Sequence, residues 1–213
     1  MASDRENLIA AARAMASRGL SAGTSGNVSL RGAEGILITP SAVPYEALTP
    51  EMIPLLRPDG SFEGRFRPSS EWRFHLDVYL SRPEVGGVVH NHAPYCTALA
   101  MARREIPPCH YMVTRFGGGN VRCADYALFG TAELSHAVLR ALEGRTACLM
   151  ANHGALALGR DVFAALGAAT ELEMLARHYL LSLQAGGPVL LSDQKIEEAI
   201  NQFATAYRPN TGG

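Results

Sequence analysis

The stretch Gly86-Gly87-Val88-Val89-His90-Asn91-His92 gives the strongest local indication of how this chain folds. Its apolar, β-branched residues predict a strand over residues 85–90. Because successive side chains of a strand alternate between faces, His90 and His92 project to the same side and Asn91 to the other. Two histidines with this spacing can converge on one ion, although the same pattern is also common in strands that bind no metal.

Further strands and helices are predicted on both sides of this stretch. Short apolar runs bounded by glycine and proline predict strands over residues 27–31, 35–39, 121–123 and 147–150. Apolar residues at helical spacing predict helices over residues 4–18, 70–82, 131–143, 161–184 and 192–206, and Thr131 is the predicted cap of the third. No repeat or linker divides the chain, which is therefore predicted to be one α/β domain over residues 1–213 with a mixed central sheet.

The composition excludes several classes of protein. Of the 213 residues, 47% are hydrophobic and 18% are charged, which is enough apolar material for a core and too little charge for disorder. No apolar run reaches the ~18 residues of a membrane span, and the charged N-terminus lacks a signal-peptide pattern. The net charge of −1, with scattered basic residues, argues against nucleic acid as a partner. We therefore expect a cytoplasmic protein with neither membrane nor nucleic acid among its partners.

The use of cysteine and lysine narrows the possible chemistry. The four cysteines form no CxxC pair, so in a chain without a secretion signal we expect reduced thiols. The only lysine is Lys195, in a polar stretch beside Glu197 and Glu198 that is predicted to face solvent. An enzyme that activates a ketone as a Schiff base needs a lysine inside its pocket. Carbonyl chemistry in this chain is therefore expected to depend on a metal ion.

A third histidine and a glutamate extend the candidate metal site. His153 follows an apolar strand, and three neutral imidazoles form a plausible catalytic zinc set with open positions. Taken alone, His153 is about as well explained as a hydrogen-bonded histidine at a strand end. Glu71, at the start of a predicted helix, is either a capping carboxylate or a general acid/base that can also ligate the metal. His75, one helical turn later, is expected to support the site or the core.

An anion site is suggested by Gly23-Thr24-Ser25-Gly26-Asn27. These small residues offer backbone amides and hydroxyls to a concave nest that needs no lysine. Ser41, and Ser69-Ser70 just before Glu71, could add hydroxyls to it, although each segment alone is more often a turn. The stretch matches neither a Walker loop nor GxGxxG, so nucleotide binding is disfavoured.

Eight stretches of the chain, in this order, resemble the class II aldolase/adducin family. They are GTSGNVSLR, ILITPSAVPYEALT, PSSEWRFH, VVHNHAPYCTA, IPPCHYM, YALFGT, NHGALA and the LSD-containing C-terminal helix. Several of them are long, and together they run through almost the whole chain. On these motifs the chain is identified as a member of the family.

The resemblance implies a three-layer α/β fold, in which a mixed, largely antiparallel sheet is flanked by helices. It also implies a ring-shaped homotetramer with active sites between subunits. The implied zinc ligands are His90, His92, His153 and Glu71, and Glu71 is also the implied catalytic acid/base. The implied phosphate-binding residues are Thr24, Gly26, Asn27, Ser41, Ser69 and Ser70. Tyr111 of a neighbouring subunit is implied as a second catalytic residue, and Tyr207 near the C-terminus as a substrate-binding residue.

Two positions depart from the family's pattern. Position 42 is alanine where the family's aldolases usually have glycine, which slightly crowds the phosphate loop. The tail Phe203-Ala-Thr-Ala-Tyr207 is spaced differently from the family's phenylalanine and tyrosine. The resemblance implies that this tail governs the aldehyde end of the substrate, so specificity could differ there.

The reaction that the resemblance implies is zinc-dependent, reversible cleavage of a ketose phosphate such as L-fuculose 1-phosphate. The products are dihydroxyacetone phosphate and a small aldehyde. Three other sugar-phosphate reactions of the family stay open: epimerisation of a pentulose phosphate at C4, dehydration and decarboxylation. An adducin-like interaction module is disfavoured, because those modules lack the metal histidines. A cupin expects a glutamate soon after the histidine pair, and an HNH nuclease expects a basic surface, so neither interpretation fits.

Overall fold

A single sheet forms the centre of the molecule, and its eight strands fall within residues 3–206, which the computed structural model describes. In chain order they are β1 (Asn27–Arg31), β2 (Ile36–Ile38), β3 (Leu55–Leu56), β4 (Phe62–Glu63), β5 (Gly87–Asn91), β6 (Cys123–Ala124), β7 (Ala147–Met150) and β8 (Gly154–Gly159). They lie in the order β4-β3-β2-β1-β5-β8-β7-β6. All neighbours in this described sheet are antiparallel except β6 and β7. The predicted mixed, largely antiparallel sheet is confirmed.

Helices cover both faces of this sheet. In the described part of the chain they are α1 (Asp4–Ser17), α2 (Trp72–Ser81), α3 (Pro94–Met101), α4 (Ala132–Ala141), α5 (Val162–Gln184) and α6 (Asp193–Ala206). One face carries α1, α3 and α5, and the other carries α2 and α4. The helix α6 packs on a 3-10 turn over Tyr111–Phe116. None of these helices is both long and apolar enough to cross a membrane.

Strand alternation explains why the sheet is buried on both faces. Val89 and Leu149 pack into the core formed with α1, α3 and α5. Their chain neighbours Val88 and Cys148 pack into the core formed with α2 and α4. His90 continues the second series, so its ring lies on the α2 side of the sheet.

Most predicted elements are confirmed to within a few residues. The strands predicted over residues 27–31 and 147–150 coincide with β1 and β7, whereas the helix predicted from Ser70 begins at Trp72. Thr131 caps α4 as predicted, because its hydroxyl oxygen accepts a hydrogen bond from the backbone N–H of Leu134 at 3.3 Å. All four cysteines are free, and Lys195 is exposed.

Four of these helices and strands were not predicted, and two of them, α3 and β8, flank the site. The helix α3 has no clear amphipathic face, and its N-terminus is capped by a residue that is far away in the sequence. The carboxylate of Glu173 accepts hydrogen bonds from the backbone N–H groups of Tyr95 at 2.9 Å and Cys96 at 2.8 Å.

The strand β8 contains only glycine, alanine and leucine, so it lacks the β-branched residues that mark strands. It is extended because it pairs with β5 and β7 on its two sides. The two-residue strands β3 and β4 also escaped prediction.

Candidate active site and metal centre

Three imidazoles meet where the central strands end. His90 lies in β5, His92 follows that strand, and His153 lies in the turn between β7 and β8. Their ring centroids are 4.8, 4.9 and 5.1 Å apart. Each ring offers a nitrogen, and these atoms all lie within 4.8 Å of one another. The three histidines predicted as ligands therefore form one cluster.

The hydrogen bonding of the cluster leaves lone pairs available for a metal ion. Nδ1 of His90 lies 3.0 Å from the carbonyl oxygen of Ala155, which can only accept, so Nδ1 carries the proton. In the neutral form of the ring, Nε2 of His90 then presents a lone pair, and it lies 3.1 Å from Nε2 of His92 and 3.2 Å from Oε2 of Glu71. Electron-rich atoms held this close favour a cation among them. Neutral imidazoles with a carboxylate fit a divalent ion such as Zn²⁺.

Glu71 turns its carboxylate toward these histidines. It occupies the N-cap position of α2, but its side chain makes no capping hydrogen bond. Its Oε1 lies 3.2 Å from Nε2 of His153, and its Oε2 accepts a hydrogen bond from Nδ2 of Asn27 at 3.0 Å. The alternative interpretation of Glu71 as a capping carboxylate is therefore wrong, because its oxygens face the histidines and Asn27 and not the N–H groups of α2.

The protonation states suit metal binding. Burial raises the pKa of Glu71, but the positive charge that His90 and His153 carry when they are protonated, together with their hydrogen bonds to the carboxylate, outweighs burial and holds this pKa well below its usual range. Burial, with repulsion from His90 and His153, lowers the pKa of His92 to about 4. Near neutral pH the cluster therefore offers an ionised carboxylate and a neutral His92, which are the forms that coordinate metals.

Two glycines give the cluster the space that it needs. Gly26 has a φ of +75°, and a Cβ atom there would lie 2.7 Å from the carbonyl oxygen of His90. A Cβ atom at Gly154 would lie 2.8 Å from Cδ2 of His92. Side chains at either position would push against the residues that carry the imidazoles.

A cavity of about 380 Å³ adjoins the cluster. The predicted phosphate-binding residues all line it: Thr24, Gly26, Asn27, Ser41, Ser69 and Ser70. Ser69 is buried, and its oxygen accepts hydrogen bonds from Nδ2 of Asn27 at 2.9 Å and from the N–H of Glu71 at 3.3 Å. Its own O–H is therefore left to donate to an anion. Ala42 also lines the cavity with a φ of +58°, a left-handed conformation that favours glycine.

Of the two predicted tyrosines, the one that the structure describes is not part of this cavity. Tyr111 begins the 3-10 turn over Tyr111–Phe116 and is 52% exposed. Its ring lies 4.8 Å from that of His110 and 6.0 Å from that of Phe203, and it is not among the described residues that line the cavity. Tyr207 lies outside the described residues. A role for Tyr111 at this kind of site would require a second subunit.

Sequence reasoning missed several residues beside the cavity. The hydroxyl of Tyr45 is buried and lies 2.7 Å from the carbonyl oxygen of Gly26 and 3.0 Å from that of Ser25, where it braces the predicted anion loop. Tyr126 and Phe129 line the cavity and are 56% and 60% exposed. All three belong to motifs that were recognised, but nothing in their spacing marks them as site residues.

Fold and site together define an α/β protein with a three-histidine candidate metal centre beside a hydroxyl-lined cavity. Residues 6–180 match the family described as "Class II Aldolase and Adducin N-terminal domain". The chain belongs to this family, as its motifs predicted.

Curated relatives of the chain are named as aldolases. The 5-methylthioribulose-1-phosphate/5-deoxyribulose-1-phosphate aldolase of Rhodospirillum rubrum is 47% identical over 201 residues, which cover 94% of this chain and 91% of that protein. The L-fuculose phosphate aldolase of Escherichia coli K12 is 47% identical over 188 residues, which cover 88% and 87%. Among solved structures, an L-fuculose 1-phosphate aldolase has a TM-score of 0.91 at 35% identity, covering 96% of this chain and 98% of that one.

Proposed function

We propose that this chain is a zinc-dependent aldolase that reversibly cleaves a ketose 1-phosphate into dihydroxyacetone phosphate and a small aldehyde. The observation that carries the proposal is the convergence of three histidines and Glu71 beside a cavity lined with hydroxyl groups. Zn²⁺ would be held by His90, His92 and His153, with Glu71 as a further ligand when no substrate is present. When bound, the ion would supply Lewis-acid polarisation of the substrate's carbonyl group.

The chain's own residues would do the remaining work. The hydroxyls and amides of Thr24, Gly26, Asn27, Ser41, Ser69 and Ser70 would bind the phosphate and place the first three carbons beside Glu71. When the C3–C4 bond breaks, the C4 hydroxyl loses a proton, and we assign Tyr111 of a neighbouring subunit to help move it. The electron pair left at C3 takes a proton from Glu71. Because the carboxylate of Glu71 is ionised in the free site, it must first take up a proton, and the proton lost from the C4 hydroxyl balances that uptake.

The names of the relatives suggest which part of the substrate varies. L-Fuculose 1-phosphate and the 5-substituted ribulose 1-phosphates share their phosphate, carbonyl and C3 hydroxyl, and they differ beyond the carbon that becomes the aldehyde. The histidines, Glu71 and the hydroxyl-lined wall would serve either substrate. We infer that specificity depends on the open side of the cavity, where Tyr126 and Phe129 lie.

A substrate screen tests the proposal. It would cover five- and six-carbon ketose 1-phosphates and 5-phosphates, with every product identified. Dihydroxyacetone phosphate together with an aldehyde supports the aldolase, an isomeric pentose phosphate indicates the 4-epimerase, and release of water or CO₂ indicates the other family reactions. Chelation should abolish turnover and added Zn²⁺ should restore it. Unchanged turnover in protein shown by elemental analysis to be free of metal would overturn the mechanism.

The proposal includes a homotetramer with active sites between subunits, one domain over residues 1–213 and a cytoplasmic location. The assembly is the part that the chemistry needs, because Tyr111 does not line the cavity of its own chain. Light scattering on the purified protein measures the mass of the assembly directly, and a monomer that is fully active would contradict the shared site.

A further inference from the structure

A series of buried hydrogen bonds connects α2 with Glu71. The hydroxyl of Tyr79 lies 3.0 Å from Oγ of Ser29, which lies 2.7 Å from Nδ1 of His75. Nε2 of His75 is hydrogen-bonded to Oδ1 of Asn27, and Nδ2 of Asn27 donates to Oε2 of Glu71 at 3.0 Å. All five side chains belong to buried residues, and His75 and Ser29 are completely inaccessible.

The direction of these hydrogen bonds follows from the carboxylate at their end. An ionised carboxylate can only accept, so the amide nitrogen of Asn27 faces Glu71 and the amide oxygen faces His75. That oxygen requires a donor, so Nε2 of His75 carries the proton and Nδ1 accepts from the hydroxyl of Ser29. The oxygen of Ser29 then accepts from Tyr79. Each bond donates toward Glu71, an arrangement in which the bonds polarise one another.

We propose that His75 is a positioning residue that fixes the amide of Asn27, which in turn holds the carboxylate of Glu71 against the three histidines. Oε2 is tied to Asn27, whereas Oε1 is buried, faces Nε2 of His153 at 3.2 Å and accepts no well-aligned hydrogen bond among the described residues. Oε1 is therefore the oxygen left for a metal ion or a transferred proton. The catalytic part of this inference rests on the proposed aldolase function, whereas the placement of Glu71 does not.

Packing alone does not explain the position of His75. Its ring stacks on Phe74 with centroids 4.7 Å apart, a contact that another aromatic side chain could make. Both ring nitrogens, however, are used by polar residues of β1. Asn27 and Ser29 are two residues apart on that strand, so both project toward α2, and the imidazole bridges them. Without that bridge, the Asn27 amide could turn its oxygen toward Glu71 and repel the carboxylate.

The affinity of the metal-free protein for Zn²⁺ tests the inference without any substrate. Removing the partner that orients a metal-site residue usually costs about 10- to 100-fold in metal affinity or activity. We expect His75→Phe, which keeps an aromatic ring beside Phe74, to weaken Zn²⁺ binding by about that factor in competition with a chelator. Turnover of the zinc-loaded enzyme should fall by a similar factor.

Three further variants separate positioning from packing. His75→Gln offers an amide N–H near the place of Nε2 and should restore most of the lost zinc affinity. Tyr79→Phe removes only the outermost hydroxyl and should have a smaller effect, which should disappear in the His75→Phe background. Val78→Ala is the matched control, because Val78 lies on the same helix, is fully buried and belongs only to the apolar core. It should lower the melting temperature and leave zinc affinity unchanged.

The outcomes distinguish this inference from the proposed function. Unchanged zinc affinity and turnover in His75→Phe, or equal losses in Val78→Ala, would overturn the positioning role. If His75→Phe does not fold, Tyr79→Phe, His75→Gln and the double variant take its place. Additive losses of zinc affinity in these variants, together with a full loss of about 10- to 100-fold in His75→Gln, would then overturn the positioning role. If the variants lose zinc affinity as predicted but the unmodified protein cleaves no ketose phosphate, the positioning of Glu71 is upheld and the aldolase function is rejected.

Discussion

The buried floor of the candidate site and its exposed aromatic residues are built in different ways. The floor, which we define as Glu71, His90 and Asn27, is at most 7% exposed, and hydrogen bonds to neighbouring strands hold it. The exposed aromatic residues that line the cavity, Tyr126 and Phe129, are 56% and 60% exposed. One chain thus holds in place the candidate metal ligands and the carboxylate of Glu71. In the proposed function, this open side of the cavity faces the far end of the substrate, and a second subunit supplies Tyr111.

The largest effect is expected from changing the floor at Glu71. Glu71→Gln keeps the size of the side chain but cannot exchange a proton, so turnover should fall by about 10²- to 10⁴-fold. Zinc content, measured by elemental analysis at saturating Zn²⁺, should largely survive because three histidines remain. Glu197→Gln, on the exposed surface of α6, is the matched control and should keep full activity. Full activity in Glu71→Gln would remove this residue from the acid/base role.

A smaller effect is expected from Tyr111, and it tests whether the site is shared between subunits. Tyr111→Phe should lower turnover by about 10²-fold, at the low end for acid/base residues. If the tyrosine acts in a neighbouring subunit, co-expressed Glu71→Gln and Tyr111→Phe chains should recover activity, because some sites then receive both intact residues. Random mixing restores about a quarter of the sites. Recovery of no activity in mixed assemblies, verified by mass spectrometry, would place both residues in one chain.

The next prediction compares two glycines of the anion loop. At Gly26 a new Cβ atom would meet Oγ of Ser21 at 2.6 Å and the carbonyl oxygen of His90 at 2.7 Å, whereas at Gly23 it would meet nothing within 4 Å. Both have a positive φ, so each alanine variant should lose about 1–2 kcal/mol of unfolding free energy from backbone strain. Gly26→Ala should lose a further ~1–3 kcal/mol from crowding. Urea denaturation measures the difference, and equal losses would show that the loop relaxes away from β5.

The smallest effect is expected at Ala42, an exposed residue that lines the cavity next to Ser41. Ala42 has a φ of +58°, so Ala42→Gly should relieve strain and raise the unfolding free energy by up to about 1 kcal/mol. Because Ala42 is exposed, no contact of the floor should change. Urea denaturation at constant zinc concentration checks the gain, with Ala22→Gly as an exposed control where no positive φ is relieved. A loss of stability in Ala42→Gly would mean that the methyl group makes favourable contacts.

Local patterns predicted much of the fold because they report local physics. The alternation around His90 predicted both the strand and the shared direction of its two histidines. Thr131 marked the start of α4 through its own capping hydrogen bond. The strand β8 and the helix α3 were missed for the opposite reason. Pairing with two neighbouring strands makes β8 extended, and a carboxylate on α5 caps α3, so neither is specified within its own segment.

The sequence by itself determined which functional groups are available: the paired histidines, the hydroxyl-rich segments, the absence of a usable lysine and the motifs that define the family. Only the tertiary structure decided how those groups are arranged. It turned Glu71 away from capping and toward His153, joined His75 to Glu71 through Asn27, and left Tyr111 outside the cavity. The reason is that strand and helix periods fix directions over a few residues. How closely β1, α2 and the β7–β8 turn approach one another depends on packing across the whole sheet.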